Sequence, residues 1–144
     1  MNAIYNGLIF KMPLHARWAA FFDLAGWTWH TNPAPVGDWS PDFRVTFPCS
    51  HSECGGSHTL LVSVLPVSTI DSFGKHPCLD YSYGIPRGGS VADRIEADSG
   101  AAFGESPKVT YWEMSHGAGG GIEDVLSWVS NADQLWKQAG NVGK

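Results

Sequence analysis

Two cysteines and two histidines lie within ten consecutive residues of this chain: Cys49, His51, Cys54 and His58. Zinc in proteins prefers four thiolate or imidazole ligands arranged as a tetrahedron, and structural zinc sites are closed to solvent. Two glycines in the same stretch, at positions 55 and 56, allow the backbone to turn tightly around an ion. We therefore expect a structural zinc site in the loop formed by residues 48–58.

The sequence limits the ligands of this site without fixing all four. The three ligands that we favour are Cys49, Cys54 and His58. The fourth is one of three candidates: His51, His76 or Cys78. Because the spacing matches no familiar zinc finger closely, a polar loop with idle thiols is the alternative. A zinc ion here would hold the loop between two strands and would have no catalytic role.

Three other segments follow one another in an order typical of a catalytic scaffold. Residues 14–23 have a helical pattern, the Pro-Asp pair ends at Asp42, and residues 60–65 form an apolar run. Their order and spacing resemble the PD-(D/E)XK nuclease fold as phage genomes carry it. The resemblance implies an α/β (α+β) fold with a mixed central sheet flanked by helices. It also implies a single nuclease-like domain over residues 1–144.

Two later segments resemble phage relatives more specifically than the Pro-Asp pair does: residues 112–117 (Trp-Glu-Met-Ser-His-Gly) and residues 135–141. In such nucleases the helix supplies a Glu, the Pro-Asp pair supplies an Asp, and the next strand supplies Glu-x-Lys. The positions that match them are His15, Asp42, Ser63 and Leu65. Only the Asp is retained, so the resemblance implies the scaffold and argues against the reaction.

Loss of these side chains removes the charge that phosphodiester cleavage requires. A hard divalent cation prefers several oxygen ligands, usually carboxylates, and a nearby Lys offsets developing negative charge. One Asp with a Ser cannot supply this charge, and a Leu cannot replace an ammonium group. We therefore expect the four matched positions to be vestigial. The alternative is a divergent metal-dependent DNA nuclease that uses Asp42 and His15.

Hydrophobic patterns predict the main elements. Pro13 fits the first turn of a helix, and Gly26 fits the position just past its end. Strands are predicted at residues 27–30, 43–47, 60–65 and 108–114, with the second and third forming a hairpin. Helices are predicted at residues 68–72 and at residues 132–139, where Gly140 ends the chain's last helix. Residues 116–121 predict a flexible turn, and one packed layer is expected to hold four tryptophans: Trp18, Trp27, Trp29 and Trp39.

Charge is distributed unevenly along the chain. The net charge is −5, and the segment 93–133 alone has eight acids and two bases, a balance of −6. Nucleases usually present a basic surface to phosphates, and this chain has no basic cluster in its sequence. The acidic segment instead suits a basic protein partner. We expect that partner to contact five acids: Glu96, Asp98, Glu105, Glu123 and Asp124.

Together with the acidic segment, the resemblance to phage nucleases implies a non-catalytic, phage-derived binding protein that inhibits a host defence complex, as an anti-CRISPR protein does. A nucleic-acid-binding protein is the expected partner, and no direct contact with nucleic acid is expected. A structural phage component without a defence role is a further alternative. No segment is long and apolar enough to span a membrane, and no signal-peptide pattern is present, so we expect the host cytoplasm as the location.

Overall fold

The computed structural model describes residues 3–50, 55–86, 95–116 and 119–141. Within these residues the chain forms ten β-strands, three α-helices and two 3-10 helices. In chain order the strands and α-helices are β1 (Ala3–Tyr5), β2 (Leu8–Phe10), α1 (Pro13–Ala25), β3 (Thr28–Thr31), β4 (Phe43–Pro48), β5 (Ser57–Val64), β6 (Ile85–Pro86), β7 (Ile95–Ala97), β8 (Ser99–Phe103), β9 (Thr110–His116), β10 (Gly119–Glu123), α2 (Val125–Trp128) and α3 (Ala132–Asn141). The 3-10 helices, Ile70–Phe73 and Pro77–Asp80, lie between β5 and β6.

Six of these strands form one mixed sheet in the order β10-β9-β8-β5-β4-β3. Strands β5 and β8 are parallel, and the other neighbouring pairs are antiparallel. The hairpins β1–β2 and β6–β7 form separate two-stranded sheets. The prediction of an α+β protein with a mixed sheet and helices is therefore confirmed. The more specific assignment to the PD-(D/E)XK nuclease fold stays a hypothesis.

Helix α1 begins and ends where the sequence predicts. Pro13 is tolerated in the first turn because the N–H that proline lacks would have no hydrogen-bond partner within the helix. Gly26 ends the helix with a left-handed φ of 78°. Trp18, Phe21 and Phe22 of α1 are fully buried in the larger apolar cluster, which also includes side chains of the sheet and of α3. No helix in the described part of the chain is long and apolar enough to cross a membrane.

Helices α1 and α3 are joined by Arg17. Its Nε and Nη2 atoms donate hydrogen bonds to the Trp136 carbonyl at 3.1 and 2.7 Å, and its guanidinium lies 4.2 Å from the centre of the Trp136 ring. Gly140 lies within α3, so the prediction that it ends this helix is wrong. A Cβ at Gly140 would lie 2.9 Å from Arg17 Cζ, so a glycine here leaves room for the Arg17 guanidinium.

The predicted hairpin is formed by β4 and β5, with Phe43 opposite Val62 and Pro48 opposite Ser57. Alternating side chains explain this pairing, because one face of each strand is fully buried. Asp42 precedes β4 directly, and its N–H donates to the Val62 carbonyl at 2.8 Å. This register places Asp42 beside the strand that holds Ser63.

The sheet separates two apolar clusters. Leu60, Val62 and Val64 of β5 belong to the larger cluster with α1, whereas Leu61 belongs to a smaller cluster with Trp39 and other residues. Trp39 therefore does not share a layer with Trp18 and Trp27, and the expectation of one tryptophan layer is wrong. Residues 32–41 form an irregular connection, so strand alternation does not determine the side on which Trp39 packs.

The glycine-rich run after β9 is largely a strand. Strand β10 pairs with β9 from Gly119 opposite His116 to Glu123 opposite Trp112, so the prediction of a flexible turn is wrong for residues 119–121. A Cβ on Gly120 would lie 2.4 Å from the Met114 carbonyl oxygen, so the close pairing depends on glycine. Residues 117 and 118 of that run lie outside the described residues.

Asp23, near the end of α1, connects that helix to β1 and β3. Tyr5 Oη in β1 and Trp29 Nε1 in β3 both donate hydrogen bonds to its carboxylate. Rings of Tyr5 and Phe10 also pack against Trp29, at 6.3 and 6.2 Å between centroids. The β1–β2 hairpin is thereby held beside the start of β4, where Asp42 lies.

Candidate functional site

His15 and Asp42 meet at the start of β4. His15 projects from the first turn of α1, is buried, and places Nε2 3.5 Å from Asp42 Oδ2. The Val64 N–H donates a hydrogen bond of 2.8 Å to the same carboxylate oxygen. Since Val64 is in β5, the side chain of Asp42 is held by both the helix and the neighbouring strand.

The surroundings of Asp42 stabilise its charged form. Burial alone would raise the pKa of Asp42, but the contact with His15, the Val64 N–H and the charge of Lys11 together bring it below the ordinary value. A half-buried carboxylate that keeps its charge through such partners contributes to the stability of the fold. The described structure therefore gives Asp42 a stabilising role.

Ser63 and Leu65 lie in the opposite layer. Ser63 Oγ accepts a hydrogen bond of 2.8 Å from Trp39 Nε1, and Leu65 packs against the smaller apolar cluster. The two residues share a face, as the strand alternation predicts. They are not brought together with His15, which is on the side of α1.

A pocket of about 230 Å³ opens beside the His15–Asp42 pair. Lys11, Asn32 and the residues of β2 contribute to its walls. The pocket holds one carboxylate, one imidazole and one ammonium group within its lining. Such a set can bind a small anion or donate a proton, but it provides a single oxygen-rich ligand for a hard cation.

A second group of polar side chains meets at the other end of β4. One ligand atom each from Cys49, His58 and His116 lies within 4.8 Å of the other two, and we call these three residues the Cys–His cluster. Cys49 Sγ is 3.5 Å from His116 Nε2. Strand β4 is six residues long, so about 20 Å separates this cluster from Asp42.

Three strands position the Cys–His cluster. Cys49 directly follows β4, and its N–H donates to the Gly56 carbonyl at 2.9 Å, which closes the hairpin loop. His58 is in β5 opposite Phe47, and His116 is the last residue of β9. Strand β8, which lies between β5 and β9, begins only at Ser99 opposite Leu60. His58 and His116 can therefore approach each other beyond the start of β8.

His58 is the most deeply buried member of the cluster, with 4% of its surface exposed. Its Nδ1 atom lies 3.5 Å from Asp98 Oδ2, without hydrogen-bond geometry, and neither ring nitrogen has a hydrogen-bond partner among the described residues. Trp128 of α2 covers the two imidazoles, at 5.4 Å from the His58 ring and 5.0 Å from the His116 ring. A buried imidazole without partners is costly unless something binds it.

The structure changes the ligand set expected from the sequence. Cys54 and His51 lie outside the described residues. His76 and Cys78 contact each other, with Nδ1 and Sγ 3.1 Å apart, and Cys78 belongs to the smaller apolar cluster. Burial raises the pKa of Cys78 to about 12, so its thiol stays protonated. These two residues do not join the Cys–His cluster, so their place among the ligand candidates is a wrong expectation.

His116 is the functional candidate that sequence reasoning missed. It lies in the segment 112–117 that resembles phage relatives, but 58 residues separate it from His58 in the chain. The strand order brings the two together. Strand β8 lies between β5 and β9, but it begins opposite Leu60 and so does not extend between His58 and His116. An isolated histidine at a strand end carries no local signal of metal binding.

The acids expected to contact a partner differ in what they do. Asp98 accepts a hydrogen bond from the Thr59 N–H at 2.7 Å, Glu123 accepts one from Trp128 Nε1 at 2.9 Å, and Asp124 caps α2 by accepting from the Ser127 N–H at 2.8 Å. Glu105 is exposed, and the side chain of Glu96 lies outside the described structure. Three of the five acids therefore stabilise the fold.

Comparison with protein-family models, with curated proteins and with solved structures gives no match for this chain. The resemblance to PD-(D/E)XK nucleases stays a hypothesis based on the sequence segments themselves. The chemistry of the His15–Asp42 pair and of the Cys–His cluster is therefore the basis for inferring function.

Proposed function

We propose that this protein is a non-catalytic binding protein on a nuclease-like scaffold, which inhibits a host defence system by contacting a nucleic-acid-binding component. The observation that carries the proposal is the environment of Asp42. Its Oδ2 atom accepts the Val64 N–H at 2.8 Å and lies 3.5 Å from His15 Nε2. The described lining of the adjacent pocket contains no second carboxylate, whereas a hard catalytic cation usually takes several.

The other two matched positions do not supply the charge that the missing Glu and Lys would provide. Ser63 is engaged by Trp39 in the other layer, and Leu65 is apolar. Cleavage of a phosphodiester needs charge on the cation and on the groups around the developing phosphorane. A fold that lacks these charged groups can still present a surface that binds another protein.

The class of partner follows from charge. Eight of the fourteen acids of the chain lie between residues 93 and 133, where there are only two bases. An acidic surface attracts proteins whose own surfaces are basic, and proteins that grip nucleic acid have such surfaces. A CRISPR effector is the specific partner that the phage-like segments favour, and the host cytoplasm is where the two would meet.

Charge reversal of two exposed acids tests this proposal. Glu105→Lys with Asp133→Lys changes the segment 93–133 at exposed positions and removes none of the hydrogen bonds described for Asp98, Glu123 and Asp124. We expect the variant to fold normally and to associate at least tenfold more slowly with a defence complex captured from bacterial lysate, because electrostatic steering acts mainly on the association rate. Surface plasmon resonance at rising salt measures that rate.

The control is Asp38→Lys with Asp71→Lys, which changes the net charge equally at exposed positions outside the segment. We expect this variant to bind much as the unmodified chain does, with the same decrease of association rate as salt screens the charges. Equal loss of binding in both variants would show that total charge, and not the acidic segment, determines association. Unchanged binding in the first variant would contradict the proposed surface.

A divergent metal-dependent nuclease is the second candidate, and the pocket beside Asp42 is the observation that favours it. Lys11 and His15 line that pocket together with Asp42, so an ammonium group and a carboxylate are both available. This candidate requires cleavage of plasmid DNA with Mg²⁺ or Mn²⁺ that is lost in Lys11→Ala and in Asp42→Asn. The first candidate requires that no such cleavage occurs.

A further inference from the structure

We propose that Cys49, His58 and His116 bind one zinc ion, which joins the end of β4 to β5 and β9. The proposal does not depend on the proposed function, since the cluster lies at the other end of β4 from Asp42. It differs from the ligand set expected from the sequence by including His116, a residue from a strand that is distant in the chain. The described residues thus supply three of the four ligands that a zinc ion prefers.

Distances support a shared ion. Bonds of about 2.3 Å to sulfur and about 2.0–2.1 Å to nitrogen place these two ligand types roughly 3.6 Å apart around a tetrahedral zinc ion. Cys49 Sγ and His116 Nε2 are 3.5 Å apart. The remaining pairs of ligand atoms lie within 4.8 Å, so small side-chain rotations would bring all three to bonding distance.

The burial of His58 gives independent support. Its ring nitrogens have no hydrogen-bond partner within the described structure, although the side chain is 4% exposed. Nδ1 faces the Asp98 carboxylate at 3.5 Å, which leaves Nε2 as the atom available for a ligand. A small rotation of the ring on metal binding would let Nδ1–H donate to Asp98, as the second nitrogen of a metal-bound imidazole usually does to fix its tautomer.

The donor set and its surroundings favour zinc with a structural role. One thiolate and two imidazoles suit a borderline-soft ion and not Mg²⁺ or Ca²⁺, which prefer oxygen. Trp128 and Phe47 pack over the His58 ring, so the site is largely covered by aromatic side chains. Binding deprotonates the Cys49 thiol and releases that proton to solvent, so the affinity should rise with pH.

Cobalt substitution of the full-length chain tests the site. Metal-free protein is titrated with Co²⁺ alone, and we expect one equivalent to produce the intense d–d bands of a tetrahedral site and a sulfur-to-cobalt charge-transfer band. Zn²⁺ added afterwards should displace the cobalt, because zinc binds such ligand sets more tightly. Elemental analysis of protein prepared without chelator should find zinc in a ratio close to one per chain.

Variants identify the ligands. Cys49→Ser should remove the charge-transfer band, and His58→Ala or His116→Ala should weaken cobalt binding by at least tenfold. Asp98→Asn, which can still accept the Thr59 N–H, should weaken binding by about 10–100-fold through the orientation of His58. The matched controls are Cys78→Ala and His30→Ala, which replace a cysteine of the other layer and an exposed histidine, and both should leave the spectrum unchanged.

Two results would overturn the site. In the first, the folded metal-free protein, checked by near-UV circular dichroism, produces no cobalt spectrum. In the second, His116→Ala binds cobalt with unchanged affinity while Cys54→Ser or His51→Ala abolishes binding, which would restore the ligand set expected from the sequence. His116 is only half-buried, so its replacement is not expected to unfold the chain and the second result can be read directly.

Discussion

At the scale of single residues, the described contacts of Asp42 stabilise the fold. Its carboxylate holds the first turn of α1 through His15 and the end of β5 through the Val64 N–H. Ser63 has a comparable structural partner in Trp39. Polar groups at these positions are therefore satisfied within the protein, and their removal should affect stability before it affects any reaction.

Asp42→Asn tests this role through pH. The folded-state pKa of Asp42 is below its ordinary value, so the stability gained from its charge is present above that ordinary value and is lost as pH falls through the folded-state pKa. We expect the variant to be about 1 kcal/mol less stable at neutral pH, since a charge-assisted hydrogen bond becomes a neutral one. The difference should decrease below about pH 4.

Urea unfolding between neutral and acidic pH measures this difference. Asp38→Asn is the control, because Asp38 is exposed and its charge should contribute little at any pH. A stability difference for Asp42→Asn that stays constant across the pH range would contradict the stabilisation of the Asp42 charge in the folded protein.

At the scale of elements, β8 is the strand whose position makes room for the Cys–His cluster. It pairs with β5 and β9, and its late start at Ser99 leaves room for the Cys–His cluster. The 3-10 helix Pro77–Asp80 packs closely on it, since a Cβ at Gly100 would lie 2.2 Å from the Cys78 carbonyl oxygen. Backbone atoms cannot move aside as a flexible side chain can, so this contact requires glycine.

Gly100→Ala should therefore destabilise the protein strongly. We expect a loss of about 1–3 kcal/mol or more, as overpacking of a well-packed interior causes. Gly119→Ala is the matched control, because a Cβ at this position in β10 meets nothing within 4 Å. The stability of this variant should change little. Midpoints of urea unfolding compare the two, and equal midpoints would contradict the packing of the 3-10 helix on β8.

Local sequence signals predict some elements and not others. Helix α1 is predictable because Pro13 and Gly26 mark its ends. The β4–β5 hairpin is predictable because β4 alternates apolar and polar residues and β5 contains an apolar run. Strands β8 and β10 are not, because they consist mainly of Gly, Ala and Ser, whose strand preference is weak. Their pairing depends on neighbours that are distant in the chain.

At the scale of the whole molecule, the His15–Asp42 pair and the Cys–His cluster lie at opposite ends of β4. His15 and Asp42 meet at the start of β4, and the resemblance to phage nucleases stays a hypothesis. The Cys–His cluster could be predicted only in part, because His116 joins it through the parallel pairing of β5 and β8. The acidic segment likewise has a structural role in part, because Asp98, Glu123 and Asp124 accept internal hydrogen bonds.

Binding of Mn²⁺ at Asp42 is the measurement that tests the absence of a catalytic centre most directly, because it requires no knowledge of a substrate. Electron paramagnetic resonance of Mn²⁺ would be recorded with the full-length protein after Zn²⁺ has been added to saturate the Cys–His cluster. We predict that the signal stays that of free Mn²⁺ and that Asp42→Asn does not change it, since one carboxylate already held by Val64 and His15 is a poor site for a hard cation. Stoichiometric Mn²⁺ binding that disappears in Asp42→Asn and persists in Asp38→Asn would contradict the account.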